Sequence, residues 1–177
     1  MTKYLYLIVG ESGTGKDTVV NLLSKYGGLT RVKSYTTRPS RSTEEDKLSH
    51  IFVDVMTKDD FSNAVAHTYY NDYDYWVTQS QLDKSDLYII DPSGIDYFKE
   101  HYKGERPFKI INLYVDEQER INRMKSRGDN DENIKQRVLY DKSAFKNISA
   151  DIKIENRTLQ DCLKNILNYI LSQEKGI

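Results

Sequence analysis

Cysteine is almost absent: Cys162 alone among 177 residues excludes an internal disulfide and makes a reducing compartment the expected setting. Long apolar runs are missing too. None approaches the roughly 20 residues of a membrane-spanning helix, and Met1-Thr2-Lys3 leads straight into the first apolar segment, so neither a span nor a signal peptide is expected. An excess of either charge is also lacking. The formal net charge of −1, from 26 basic and 27 acidic residues, argues against a protein that coats nucleic acid. No internal repeat, low-complexity tract or long linker divides the chain. What remains is 38% hydrophobic and 30% charged, which suits one cytoplasmic globular domain large enough to bury its own core. Cys162, grouped with Leu159, Leu163 and Ile166 at helical spacing, is expected in that core rather than in catalysis.

The most informative stretch is Gly10-Glu11-Ser12-Gly13-Thr14-Gly15-Lys16, directly after the apolar run Tyr4 to Val9. The run reads as a buried strand, and Val19, Val20, Leu22 and Leu23 at helical spacing place a helix from about Lys16. Strand, glycine loop, lysine and helix in that order form the context in which G-x-x-x-x-G-K cradles a phosphate chain with backbone N–H groups. One position departs from the pattern. The Ser or Thr expected after the lysine is Asp17, with Thr18 next, so either Thr18 supplies the hydroxyl one position late or Asp17 offers a carboxylate toward Mg²⁺.

Along the rest of the chain, Leu29 to Ser34 offers a second strand and Ser34 to Arg41 a polar loop with Arg38 and Arg41 around Pro39. Guanidinium groups in such a loop suit bidentate phosphate binding. Ser42 to Ser49 reads as loop, His50 to Val53 as a short strand, and Thr57 to Val65 as a helix capped by Thr57. Tyr69 to Trp76 is dense in aromatics around Asn71-Asp72, a hairpin whose rings either stack on a base or fill a small sheet. Ser80 to Lys84 suits a helical turn, and the strand Leu87 to Ile90 ends at Asp91-Pro92. Asp91 fits both a helix N-cap and a carboxylate that organises Mg²⁺ beside the glycine loop. Phe108 to Val115 is another strand, with Asp116 and Glu119 as a capping box for a helix carrying Arg120, Arg123 and Arg127. A second helix with Ile134, Val138 and Leu139 at core spacing, and Arg137 beside them, completes a helical pair read as a mobile lid. Ile148 to Ile154 is a last strand, and Thr158-x-x-Asp161 caps a final helix. About five strands alternating with helices predict an α/β fold with a parallel sheet covered on both faces.

These segments together resemble the guanylate kinase family over nearly the whole length. Ser34-Tyr35-Thr36-Thr37-Arg38-Pro39 with Arg41 is similar to its acceptor-binding segment, and His50-Ile51-Phe52-Val53 to its Tyr-x-Phe-Val. Tyr75 takes the place of its second tyrosine, Asp91-x-x-Gly94 resembles half of its Asp-x-Asp-x-x-Gly, and Arg123-x-x-x-Arg127-Gly128 with Arg137 resembles its lid. The resemblance implies a P-loop kinase: a core of about residues 1–34, 86–120 and 145–177, an acceptor region of about 35–80 and a lid of about 123–140. It further implies transfer of the ATP γ-phosphoryl group to GMP or dGMP with Mg²⁺, small nucleotides as partners without nucleic acid or membrane, and a monomer or homodimer. Residues Gly10 through Thr18 with Arg123 would hold ATP, and Ser34, Arg38, Arg41, His50, Tyr75 and Asp91 the acceptor. Lys16, Arg38, Arg127 and Arg137 would serve the transfer, with Thr18 and Asp91, or Asp17, near the metal.

The departures fall on base recognition. Ala64 to Thr68 stands where the family carries a guanine-reading glutamate, and Val77 where it carries a Ser or Thr. Two other readings therefore stay open. Gly15-Lys16-Asp17 and His50 are also similar to ribose 1,5-bisphosphate phosphokinases, and the loop to phage-type deoxynucleoside monophosphate kinases. A guanylate-kinase-like module that binds a phosphorylated peptide is the non-enzymatic reading, although such modules tend to lose the lysine and lid arginines present here.

Overall fold

The computed structural model describes residues 2–40 and 44–175. Its elements in chain order are β1 (Leu5–Val9), α1 (Lys16–Tyr26), β2 (Ser34–Thr36), α2 (Glu44–Ser49), β3 (His50–Phe52), α3 (Lys58–Asn63), β4 (Ala64–Tyr70), β5 (Tyr73–Thr78) and α4 (Gln79–Asp83). They continue with β6 (Leu87–Ile89), α5 (Pro92–His101), β7 (Phe108–Tyr114), α6 (Glu117–Ser126), α7 (Asp131–Ala144), β8 (Ile152–Glu155) and α8 (Leu159–Lys175). The strands make two sheets. One is parallel with order β6-β1-β7-β8; the other has order β3-β2-β5-β4 and is mixed, with β2 parallel to β3 and the remaining pairs antiparallel.

β1 is buried along its whole length because both faces are covered. Leu5, Leu7 and Val9 point to one core with Ile95 and Phe98 of α5 and with Ala66 and Val77 of the second sheet. Tyr6 and Ile8 point to the opposite core, filled by Val19, Val20 and Leu23 of α1 and Cys162, Ile166 and Ile170 of α8. Each such fully buried apolar side chain contributes about 1.5–3 kcal/mol. Cys162 sits in the core as expected, its thiol pushed up to about 11 by burial. Leu159, expected beside it, is 39% exposed at the helix start. α5 lies close on β4, where a Cβ on Gly94 would meet Thr68 Oγ1 at 2.6 Å.

Among the described residues four strands, not five, form the parallel sheet. The segment expected as a second strand contributes a single bridge, Arg31 to Leu87, with Val32 donating to Leu87 O and Leu87 to Thr30 O. Beyond it the chain leaves for the second sheet at Ser34, so the register with β6 is never extended. Residues 44–49, expected as loop, are the helix α2: Glu, Lys and Leu are good helix formers, and Asp46 and Ser49 are buried. α3 ends at Asn63, earlier than predicted, because Ala64 already belongs to β4. Thr57 does cap it through a reciprocal capping box with Asp60. Asn71 and Asp72 take the left-handed backbone (φ 55° and 66°) that a two-residue hairpin turn requires. Leu139, assigned to the core, is 60% exposed, because it lies about 100° around α7 from the stripe formed by Ile134 and Val138. β8 starts at Ile152, four residues later than predicted, after Asp151 has turned in to accept from Ile110 N. No helix among the described residues is long and apolar enough to cross a membrane.

β1 lies between β6 and β7 and runs parallel to both, so the loop after β1 and Asp91 after β6 emerge at the same edge of the sheet, where both line one cavity.

Candidate active site

The loop after β1 is folded by its glycines against two neighbours. Gly13 and Gly15 have φ of 82° and 86°, in the left-handed region; a Cβ on Gly13 would meet Arg120 O at 2.6 Å, and one on Gly15 would meet Asn156 Nδ2 at 2.7 Å. Asn156 donates to Thr14 O (2.6 Å) and Thr14 Oγ1 to Glu11 O (2.7 Å), which fixes the curl. α1 then begins at Lys16 with Gly15 as its N-cap and no side chain capping it. Its first amides are thus left for an external anion. Lys16 Nζ donates to Gly10 O and to Glu11 O (3.1 Å). Desolvation lowers its pKa, opposed by the carboxylates of Asp17, Asp141 and Asp91.

Beneath this cradle is a buried ionic network that sequence reading missed. Arg120, expected only as part of a basic lid cluster, is 2% exposed; it pairs with Asp141 (3.1 Å) and Glu11 (3.2 Å) and donates to Ser12 O (3.2 Å). Asp141 in turn accepts from Ser12 N (2.8 Å). The helical pair is therefore fastened to the loop at two points, Arg120 from α6 and Asp141 from α7. A single clue was available in the sequence: Arg120 lies one helical turn after Asp116, on the side of α6 that also carries Met124.

On the outer rim, Arg123 bonds Glu119 (2.8 Å) and Asn156 O (2.8 Å) and comes within 3.9 Å of the Cβ position of Gly15. Arg127 caps α6 and pairs with Asp129 (2.6 Å), and its charge is felt at Lys16.

A cavity of about 260 Å³ opens from the loop toward the second sheet. Of the predicted site residues, Gly10, Ser12, Lys16, Asp17, Ser34, His50, Tyr75, Asp91 and Arg137 line it. Ser34 Oγ and His50 Nδ1 are 2.9 Å apart, and the His50 ring meets Tyr75 edge-on at 5.7 Å. Burial, then Arg38, push the His50 imidazole down to about 4, so it is neutral near pH 7. Asp91 caps α5 by accepting from Ser93 N (3.0 Å) and also accepts from Tyr140 Oη (2.8 Å). Both readings of Asp91 therefore keep their place: it is an N-cap, and it faces the cavity. Thr68, Tyr70, Tyr88 and Tyr140 add hydroxyls to the wall.

Arg38 and Thr18 stand apart from the loop, the rim and the cavity lining. Arg38 does not line the cavity: Asp46, delivered by the unforeseen helix α2, takes its guanidinium at 3.1 and 2.8 Å, and Phe52 lies under it at 5.4 Å. Desolvation would lower the Arg38 pKa, but Asp46 and then Tyr75 hold it above the ordinary arginine value. Thr18 is exposed on α1 and lies outside the lining, whereas Asp17 belongs to it, because successive helical residues point about 100° apart. Arg41 lies outside the described residues.

The uncapped α1 amides and the glycine curl that a Cβ would fill suit a polyphosphate. For Mg²⁺ the fit rests on the oxygen donors Asp17 and Asp91. No group of three or more His, Cys, Asp and Glu able to hold a metal occurs among the described residues, so water and phosphate oxygens would complete the set.

A four-stranded parallel sheet with a glycine cradle and lysine at the carboxyl end of its inner strand defines a P-loop nucleotide-binding enzyme. Comparison with known proteins narrows that class. A family model described as an AAA domain matches residues 7–160. The chain is 30% identical to the guanylate kinase of Mycoplasmoides gallisepticum, with 93% of this chain and 92% of that protein aligned. It is 27% identical to the guanylate kinase of Cupriavidus metallidurans, over 94% and 82% respectively. Among solved structures, guanylate kinase from Anaplasma phagocytophilum matches the fold with a TM-score of 0.65 at 19% identity, covering 98% of this chain and 87% of that one. A gluconokinase from Sinorhizobium meliloti matches with 0.56 at 12% identity, over 99% and 96%. The chain belongs to the guanylate kinase family, within the P-loop group that the AAA-domain model covers.

Proposed function

We infer that this chain is an ATP-dependent nucleoside monophosphate kinase, transferring the γ-phosphoryl group to GMP or dGMP and releasing ADP and the nucleoside diphosphate. One observation carries the reading: a single cavity has the P-loop and Lys16 at one end and Ser34, His50, Tyr75, Asp91 and Arg137 at the other. Family membership supplies the acceptor class.

The loop amides and the first turn of α1 bind the ATP phosphates, and Lys16 exchanges two backbone carbonyls for phosphate oxygens. Arg137 faces the transferring group from α7, while Arg123 and Arg127 stand at the rim. Asp17 and Asp91 would hold Mg²⁺, which would supply charge neutralisation to the bound phosphates. No general base is required, since the acceptor phosphate is already anionic; the residues position the reactants and exclude water. Tyr75 and the Ser34–His50 pair meet the acceptor. Arg38 joins them if the acceptor phosphate displaces Asp46 from its guanidinium. The base is read by hydroxyls, those of Ser34, Thr68 and Tyr70, in place of the glutamate that Ala64 to Thr68 lacks. The helical pair 123–140 serves as the lid, in a cytoplasmic enzyme that acts as a monomer or homodimer.

The test is ADP release from MgATP with GMP, dGMP, AMP, CMP, UMP, dTMP and ribose 1,5-bisphosphate offered singly. GMP or dGMP is expected to exceed the others by at least tenfold in kcat/KM. Preference for ribose 1,5-bisphosphate or another nucleotide overturns the acceptor while leaving the kinase class intact. In the same assay Lys16→Met is expected to lose about 10³-fold or more in kcat with its melting midpoint little changed.

A further inference from the structure

The position after the P-loop lysine normally carries a hydroxyl. Here it is Asp17, and the structure gives that carboxylate two partners from elsewhere in the chain. Arg31 Nη2 lies 3.5 Å from Asp17 Oδ1, and Ser49 Oγ donates to the same oxygen at 3.3 Å. One turn further along α1, Asn21 Oδ1 accepts from Arg31 Nη1. Residues 17 and 21 share a helix face, so α1 offers an acid and an amide oxygen to one guanidinium.

The backbone at Arg31 is equally fixed. It makes the bridge to Leu87, with Val32 N donating to Leu87 O (2.8 Å) and Asp86 N to Thr30 O (2.7 Å). The Arg31 side chain is 10% exposed, and Arg31 lines the same cavity as Lys16, Ser34 and His50. Its positive charge reaches His50, where it adds to the larger effects of burial and Arg38. The basic groups lining the cavity are Lys16, Arg31, His50 and Arg137. Lys16 belongs to the donor end and His50 is neutral, which leaves Arg31 and Arg137 as the two guanidinium groups of the lining. Asp17 also holds Ser49, the residue before His50, so one carboxylate ties together the donor helix, the Arg31 bridge and the acceptor wall.

We propose that Asp17 and Arg31 form one acceptor-positioning device: α1 holds the Arg31 guanidinium in the cavity wall, where it meets the anionic acceptor, and Asp17 sets its place. This rests on the reading of the cavity as a nucleoside monophosphate site. Arg31 is then an acceptor-binding contact and Asp17 the positioning residue. The hydroxyl missing from the P-loop and the arginine present at the bridge are two halves of one arrangement.

The experiment is titration calorimetry of the full chain with GMP, and separately with ATP, in the absence of Mg²⁺, followed by steady-state kinetics. Arg31→Gln is expected to weaken GMP at least tenfold while ATP changes less than twofold; Arg31→Lys recovers part of the loss. Asp17→Asn is expected to weaken GMP severalfold in the native background and hardly at all when combined with Arg31→Gln, the non-additivity of two groups acting through one contact. Equal losses of GMP and ATP in Arg31→Gln, or losses from the two positions that simply add, overturn the proposal. So does a lowered melting midpoint with the ratio of the two affinities unchanged. If the native chain binds ATP but no nucleoside monophosphate, the functional reading fails and takes this proposal with it. If the native chain binds GMP and Arg31→Gln binds it as well, this proposal alone fails.

Discussion

On the function proposed above the cavity has a donor end and an acceptor end, and the two are made of different material. The donor cradle is main chain: loop amides, the uncapped start of α1, and glycines packed so closely on Arg120 and Asn156 that a Cβ would not fit. The acceptor wall is side chain: Arg31 from the bridge, Ser34 from β2, His50 from β3, Thr68 and Tyr70 from β4, Tyr75 from β5 and Asp91 after β6. A main-chain site constrains spacing and glycine, so its signature is a contiguous string. A side-chain site constrains identity at scattered positions, and its specificity changes when a few of them change. The difference explains how this chain keeps the P-loop of its family while the residues expected to read guanine are replaced.

The sharpest way to break that contrast is to attack the cradle from below. Asp141 and Arg120 are each about 2–4% exposed as side chains, and Asp141 holds the Ser12 amide. Replacing Asp141 with Ala leaves the Arg120 guanidinium with Glu11 and the Ser12 carbonyl and orphans the Ser12 amide, an expected loss of about 3 kcal/mol or more. Urea unfolding measures it, with ATP affinity falling in parallel because the loop loses its support. The double variant Arg120→Leu with Asp141→Leu is expected to regain much of the stability, since the uncompensated charge is gone. If Asp141→Ala costs less than 1 kcal/mol, the cradle is held by its glycine curl and not by the ionic network.

The acceptor wall is expected to respond to pH where the cradle does not. Burial and Arg38 hold the His50 imidazole at about 4, against roughly 6.5 in an unfolded chain. Between those values the unfolded state binds a proton that the native state refuses. The native state is therefore fully favoured above about pH 6.5 and loses stability as pH falls toward 4, by about 3 kcal/mol at most. The groups facing His50 are Arg38 and Arg31, which favour the neutral ring, and Asp17 and Asp46, which oppose them. His50→Gln is expected to flatten that part of the stability profile relative to the native chain, measured by denaturant midpoints at pH 4.5, 5.5 and 7. An unchanged slope would mean that His50 keeps its proton in the folded wall.

The same contrast governs how much was legible beforehand. The strand, glycine loop, lysine and helix were readable because their signals are local, as were the Thr57 and Asp91 caps and the Asn71-Asp72 turn. The acceptor segments were located by resemblance, yet their contacts were not. Nothing within residues 44–49 announces that Asp46 will close on Arg38, because that depends on α2 folding over β2 and β3. Arg120 read as a surface charge, since a basic residue near other basic residues carries no sign of the buried Asp141 that meets it 21 positions later. The fifth strand was overcounted for the same reason: Leu29 to Ser34 has strand-like composition, but only Arg31 finds a partner before the chain changes sheets. Thr18 and Asp17 differ by one position in the sequence and by a face in the helix. The string left that choice open.

The finest test lies where the two ends are joined. Tyr140 on α7 donates to Asp91 Oδ1 at 2.8 Å, and its ring meets Tyr70 of β4 edge-on at 5.1 Å. Burial pushes the Tyr140 phenol up to about 12, so the hydroxyl remains a donor across the working range. Tyr140→Phe deletes the hydrogen bond and keeps the ring. Asp91 retains Ser93 N and Oγ, so the expected cost is about 1 kcal/mol, or roughly a fivefold rise in KM for the acceptor. KM for ATP should stay within twofold, because no atom of the cradle touches that hydroxyl. A rise in both constants would mean that Asp91 serves the donor phosphates as much as the acceptor, and that the division between a main-chain end and a side-chain end stops short of the carboxylate between them.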